Sequence, residues 1–135
     1  MASGTGTAGS PYSMDVRVRY CECDPMQVAH HAAYPVWLEM ARTELLRHQG
    51  VAYRDLEAAG TLFVVARLAL RYRKPARYDD ILQIRVWVVT CAGVKLDHGY
   101  AIYRGDELLC TAETTLVCVD CEGRLQPVPE AYRTE

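Results

Sequence analysis

Valines and a tyrosine alternate with arginines over Val16, Arg17, Val18, Arg19 and Tyr20, a period of two that predicts a strand with one buried face. After a short loop the period changes. From Tyr34 the apolar positions fall at Trp37, Leu38, Ala41 and Leu45, one stripe at helical spacing, while Glu39, Arg42, Thr43 and Arg47 fall mostly off it. Pro35 suits the first helical turn because it lacks an N–H that would go unpaired there, and Gly50 supplies the left-handed stop. Residues 51–60 predict a short second helix ending in glycine. Alternation returns over 62–73, with Leu62, Val64, Ala66, Leu68, Leu70 and Tyr72 on one face and Phe63, Val65, Arg67, Ala69, Arg71 and Arg73 on the other. Pro75 ends that pairing. Three more strands are expected, over 81–90, over 94–102 and over 108–119, joined by turns at Cys91-Ala92-Gly93 and Arg104-Gly105-Asp106-Glu107.

A strand, one long helix and then hairpin-linked strands cannot form alternating βαβ units, so the fold class is α+β: an antiparallel sheet around one central helix. One helix covers one face only. Phe63, Val65, Trp87 and Val89 on the second face therefore predict self-association through the sheet or its edge.

At 135 residues, half of them apolar, the chain suits one domain with a real core. The Gly/Ser/Thr/Ala-rich residues 1–14 read as a tail and 15–135 as the domain. A net charge of −2 with both signs interspersed gives no general nucleic-acid surface. No apolar run reaches the roughly 20 residues of a membrane span, and the first 13 residues lack signal-peptide character, so a cytoplasmic protein is expected. Its six cysteines should then be thiols. Cys21 and Cys23 form a CxC and Cys118 and Cys121 a CxxC, but alternation points the first pair in opposite directions, and no metal is expected.

Chemistry gathers in the loop before the helix. Asp24, His30 and His31 lie there, just ahead of the free N–H groups and positive dipole end of a helix start, a place suited to an oxyanion. Arg71, Arg73, Lys74 and Arg77 form the densest cation cluster and are candidates for phosphate contacts. Read alone, Asp24 beside Pro25 also fits an aspartate closing a turn.

The run RYCECDPMQVAHHAAYPVWLEMARTELLR, followed by FVVARLALRYRKPARYDD and TTLVCVD, resembles hotdog-fold acyl-CoA thioesterases over about residues 15–129. The nearest branch is the 4-hydroxybenzoyl-CoA thioesterase family with its Tol-Pal-associated thioester hydrolases. The resemblance implies a hotdog fold: a curved sheet of about five strands around the helix, in a dimer or dimer of dimers (a homotetramer) with active sites between subunits. It implies hydrolysis of acyl-CoA without a cofactor. Asp24 matches the catalytic aspartate. His31 matches the residue whose backbone N–H holds the thioester carbonyl, and whose ring is implicated in the Tol-Pal branch, and Tyr34 matches the tyrosine that begins the helix. Gln27 stands where the family usually has glycine, which bears on substrate binding.

Two rivals remain. Enoyl-CoA hydration is disfavoured because the D-x-N-x-x-H pattern is absent, with Met26 and Ala29 in the relevant positions. A carrier-protein thioesterase or a non-catalytic acyl-CoA binding module would share the fold; retention of Asp24 at the helix mouth favours an enzyme.

Overall fold

The computed structural model describes residues 11–130. Most of the expected tail lies outside them. Five strands, β1 (Tyr12–Arg17), β2 (Leu62–Tyr72), β3 (Ile81–Ala92), β4 (Lys95–Arg104) and β5 (Glu107–Val119), form one sheet in the order β1-β3-β4-β5-β2. Every neighbouring pair is antiparallel. Two helices, α1 (Ala33–His48) and α2 (Tyr53–Ala58), lie between β1 and β2 in the chain.

The stripe read from the sequence is the buried face of α1: Ala33, Tyr34, Trp37, Leu38, Ala41 and Leu45. These side chains pack on Leu82, Ile84 and Val86 of β3 and on Tyr100 and Ile102 of β4 in one core cluster. Each large apolar side chain so buried contributes about 1.5–3 kcal/mol. The helix begins two residues before Pro35, at Ala33, leaving the proline inside its first turn.

Two expectations need correction. β1 starts at Tyr12, so residues assigned to the tail join the sheet; Tyr12, Met14 and Val16 already alternate, and all three meet the core. The strand stops at Arg17, because Glu22 accepts hydrogen bonds from the Arg19 N–H at 2.8 Å and from its guanidinium at 3.1 Å, folding Tyr20–Glu22 into one 3-10 turn. The second correction concerns β2. Its register against β5 shifts between Val65 and Arg67, so Ala66 is an extra residue and the faces exchange there. Phe63 and Val65 consequently share the helix side with Leu68, Leu70 and Tyr72, and the second face of β2 carries Arg67, Ala69 and Arg71. Phe63 is covered from within the chain, packing on a small cluster of Cys91, Cys118 and Val128. Residues 126–128 are strapped there by Gln126 N–H to Cys118 O at 3.0 Å and Val128 N–H to Gly93 O at 2.8 Å.

α1 packs over β3 and β1, at one side of the sheet. β2, at the opposite edge, leaves Val65, Leu68 and Tyr72 exposed on the helix side. No helix among the described residues is long and apolar enough to cross a membrane.

One polar group in the interior carries a pH dependence. His98 of β4 is buried, and its Nδ1 has no hydrogen-bond partner among the described residues. Burial, with the nearby Arg42 cation, lowers its pKa from 6.5 to about 4, Asp97 offsetting part of this. A folded-state pKa below the unfolded one means that protonation favours unfolding. Stability is therefore complete above about pH 6.5 and declines by about 3 kcal/mol as the pH falls from 6.5 to 4. Denaturant unfolding at pH 7 and pH 4.5 should show His98→Gln losing less stability over that interval than the native chain. Equal losses would remove His98 as the cause.

Candidate active site

The loop between the 3-10 turn and α1 is a narrow excursion closed by an isolated bridge between Cys23 and Ala29. Inside it, Asp24 N–H donates to Val28 O at 3.0 Å and Gln27 N–H to Asp24 O at 2.8 Å. The Asp24 side chain takes part through one oxygen: Oδ1 accepts from Met26 N–H at 2.9 Å and Val28 N–H at 3.2 Å. Oδ2 has no partner among the described residues, and Asp24 is exposed. One oxygen of Asp24 thus holds the loop and the other is free, an arrangement compatible both with closing the turn and with chemistry.

His30 N–H donates to Glu22 O at 2.7 Å, which returns the chain beside its starting point and aims it into α1. The His30 ring accepts from Ala32 N–H at 3.2 Å through Nδ1 and lies 4.3 Å, centroid to centroid, from the ring of His31. His30 is therefore loop structure. The His31 N–H has no hydrogen-bond partner among the described residues, and no acidic side chain occupies the first turn of α1. A free donor at the positive end of a 16-residue helix can stabilise a developing oxyanion.

Two residues that sequence reasoning passed over hold this geometry. Glu22 accepts from Arg19 and also from Trp37 Nε1–H at 3.0 Å, tying the loop's entrance to the helix core. Burial pushes the Glu22 carboxyl up, but the Arg19 N–H and guanidinium and the Trp37 N–H outweigh it, and the group titrates below the ordinary range. Tyr72 of β2 donates to His31 O at 3.0 Å. No local spacing marks Glu22 or Tyr72, whose partners in the site are brought near only by folding.

The remaining candidates separate. Tyr34 is buried, its hydroxyl accepting from Ala76 N–H at 3.3 Å and its ring edge-on to Tyr72 at 4.8 Å. Placed among the catalytic residues by the sequence reading, Tyr34 here is a buried side chain that positions the 76–78 segment. That segment grips the loop, with Ala29 N–H to Ala76 O at 2.8 Å and Tyr78 N–H to Gln27 O at 3.0 Å. Arg77 lies in it, bridged to Val28, and is the cation of the expected cluster beside the loop. Lys74 pairs with Glu107 at 3.0 Å. Arg71 and Arg73 point to the face of the sheet away from α1, because they alternate with Tyr72. The expected cluster is therefore three separate environments.

Gln27 is exposed and adopts φ 65°, the left-handed region. A side chain there costs about 1–2 kcal/mol relative to glycine. Gln27→Gly should accordingly raise unfolding free energy by about 1 kcal/mol, read as a higher denaturant midpoint, less the added freedom of the unfolded chain. An unchanged or lower midpoint would show that the glutamine side chain repays its strain through contacts of its own.

Residues 18–134 match the model of the thioesterase-like superfamily. The chain belongs to that superfamily. Two bacterial members illustrate the relation. The chain is 39% identical over 106 residues to the acyl-CoA thioester hydrolase YbgC of Escherichia coli, covering 78% of this chain and 79% of that one. It is 34% identical to the acyl-CoA thioesterase YbgC of Haemophilus influenzae, covering 87% and 86%. Among solved structures, the DHNA-CoA thioesterase of Staphylococcus aureus superposes with a TM-score of 0.84 at 27% identity, over 90% of this chain and 83% of that one. The superfamily assignment accords with the architecture, a five-stranded antiparallel sheet with one long helix, which is the hotdog fold. No group of three or more His, Cys, Asp or Glu side chains able to hold a metal is present among the described residues of this member.

Proposed function

We propose that this superfamily member hydrolyses acyl-CoA thioesters to the free acid and coenzyme A, with Asp24 supplying the reactive carboxylate and the His31 N–H receiving the oxyanion. The observation that supports it is a half-free carboxylate and an unpaired N–H seven residues on, both in the short segment that leads into α1. Its similarity to bacterial acyl-CoA thioester hydrolases supplies the substrate class.

Asp24 Oδ2 either attacks the thioester carbonyl, giving a mixed anhydride that water then opens, or takes a proton from an attacking water. In both routes the carbonyl oxygen gains negative charge beside the His31 N–H, the thiolate of coenzyme A leaves, and no cofactor is called on. Losing such a donor typically costs about a hundredfold or more in rate. The uncovered apolar side chains Val36 and Met40 of α1 and Leu68 and Tyr72 of β2 offer cover to an acyl chain or a second subunit. They support a reading in which the enzyme works as a homo-oligomer, a dimer or homotetramer. In this reading the enzyme works in the cytoplasm, where exposed thiols such as those of Cys21 and Cys121 stay reduced.

The test is release of free thiol from short, long and aromatic acyl-CoAs by the purified full chain. Turnover on at least one class is expected. Binding of coenzyme A without turnover on any thioester would turn the reading to an acyl-CoA binding module.

A further inference from the structure

On the face of the sheet away from α1 and the Asp24 loop lies a groove of about 790 Å³. Its floor is shaped by two small residues, Ala69 and Gly99, set among larger ones. Ala69 of β2, Glu113 of β5, Gly99 of β4 and Trp87 of β3 lie side by side across four strands, and Ala101 and Thr111 lie in the next row. Gly99 is required there: a Cβ would sit 2.6 Å from Trp87 Nε1, so the indole lies directly on the glycine backbone. Arg71 and Arg73 stand at the β2 side of the groove with no ion-pair partner among the described residues, whereas Arg67 is held by Glu113 at 2.9 Å.

We infer that this groove is a nucleotide site, with Trp87 supporting the base and Arg71 and Arg73 holding the phosphates. The volume lies within the roughly 300–1,000 Å³ typical of small-molecule sites. An aromatic platform accepts any base, and the guanidinium fork matches phosphate oxygens. A second copy of the chain fits less well, since a twofold-related sheet face would bring its own Arg71 and Arg73 to a face already holding two unpaired cations. The groove also has a physical link to the reaction centre. Tyr72, between Arg71 and Arg73, donates to His31 O at 3.0 Å, so the groove and the Asp24 loop meet on opposite sides of one edge strand. The same chemistry recognises the nucleotide half of coenzyme A or a free nucleoside diphosphate. The site rests on the groove alone and does not depend on the proposed hydrolysis.

Calorimetric titration of the full chain with ADP, with adenosine 3′,5′-bisphosphate and with free coenzyme A tests it. Native protein should bind at least one of them, and both the double variant R71Q/R73Q and Trp87→Leu should weaken that binding at least tenfold while melting at the native temperature. If coenzyme A is the natural occupant, R71Q/R73Q raises KM for acyl-CoA more than it lowers kcat. Where a free nucleotide is the occupant, ADP binding is lost and KM for acyl-CoA moves less than twofold. Either result supports the site. It is overturned if native protein binds none of the three, if the variants bind them as tightly as native, or if sedimentation shows that the variants only dissociate an oligomer covering the groove. Turnover of acyl-CoA by the native chain, with R71Q/R73Q and Trp87→Leu binding every ligand that the native chain binds as tightly as it does, would sink this inference and leave the hydrolase standing.

Discussion

Asp24→Asn should lower kcat on the best acyl-CoA substrate by about 10² to 10⁴-fold while leaving the melting temperature close to native. Asparagine is the informative replacement because it keeps the structural half of the residue. The side-chain oxygen that accepts from Met26 and Val28 is retained, so the loop that carries Gln27 and leads to His31 keeps its shape. What is lost is the free oxygen, replaced by an amide nitrogen that can neither attack a carbonyl nor take a proton from water. Asp24→Ala would confound these effects by removing the turn. Steady-state kinetics with a parallel thermal melt separates them: lost turnover in a chain that melts as native assigns chemistry to Oδ2. Near-native turnover would remove Asp24 from the reaction and direct attention to the His31 ring and to Glu39. Glu39 is the weaker successor, since it is exposed and lies 3.7 Å from the buried Arg42.

The contrast between Asp24 and the arginines shows what this sequence made legible. Asp24 and His31 sit in one short loop, so local chain geometry and the resemblance to thioesterases together suffice to place them at the mouth of the helix. The helix was equally plain, because its burial follows a period set by the helix itself. Long-range placement was not. Arg71, Arg73, Lys74 and Arg77 are close in sequence, yet strand alternation, the Glu107 pair and the turn around Pro75 send them to three surroundings. The bulge at Ala66 had a similar effect, exchanging the faces of half of β2 where the residue types alone gave no sign. Arg42 falls off the apolar stripe and yet has a buried side chain, since a long guanidinium arm can run back under the helix.

Trp37→Ala should cost about 3–5 kcal/mol, a large part of the roughly 5–15 kcal/mol that holds a domain of this kind together. The side chain is almost fully buried, with its ring centroid 4.8 Å from that of Tyr34. Packing is half of its work. The indole N–H is also the donor that binds Glu22 to the helix, and the Glu22 carbonyl in turn receives the His30 N–H at 2.7 Å. Trp37→Phe divides the two roles: it keeps most of the volume but withdraws the donor from a carboxylate, at a cost of about 1.5–3 kcal/mol for a hydrogen bond to a charged group. Equilibrium unfolding in urea should thus rank native above Trp37→Phe above Trp37→Ala. Kinetics should show kcat falling already in Trp37→Phe, since a loosened Glu22 lets the His30–His31 turn drift from the carbonyl it must meet. A phenylalanine variant with native kcat would confine Trp37 to the core and leave the position of His31 to its contact with Tyr72.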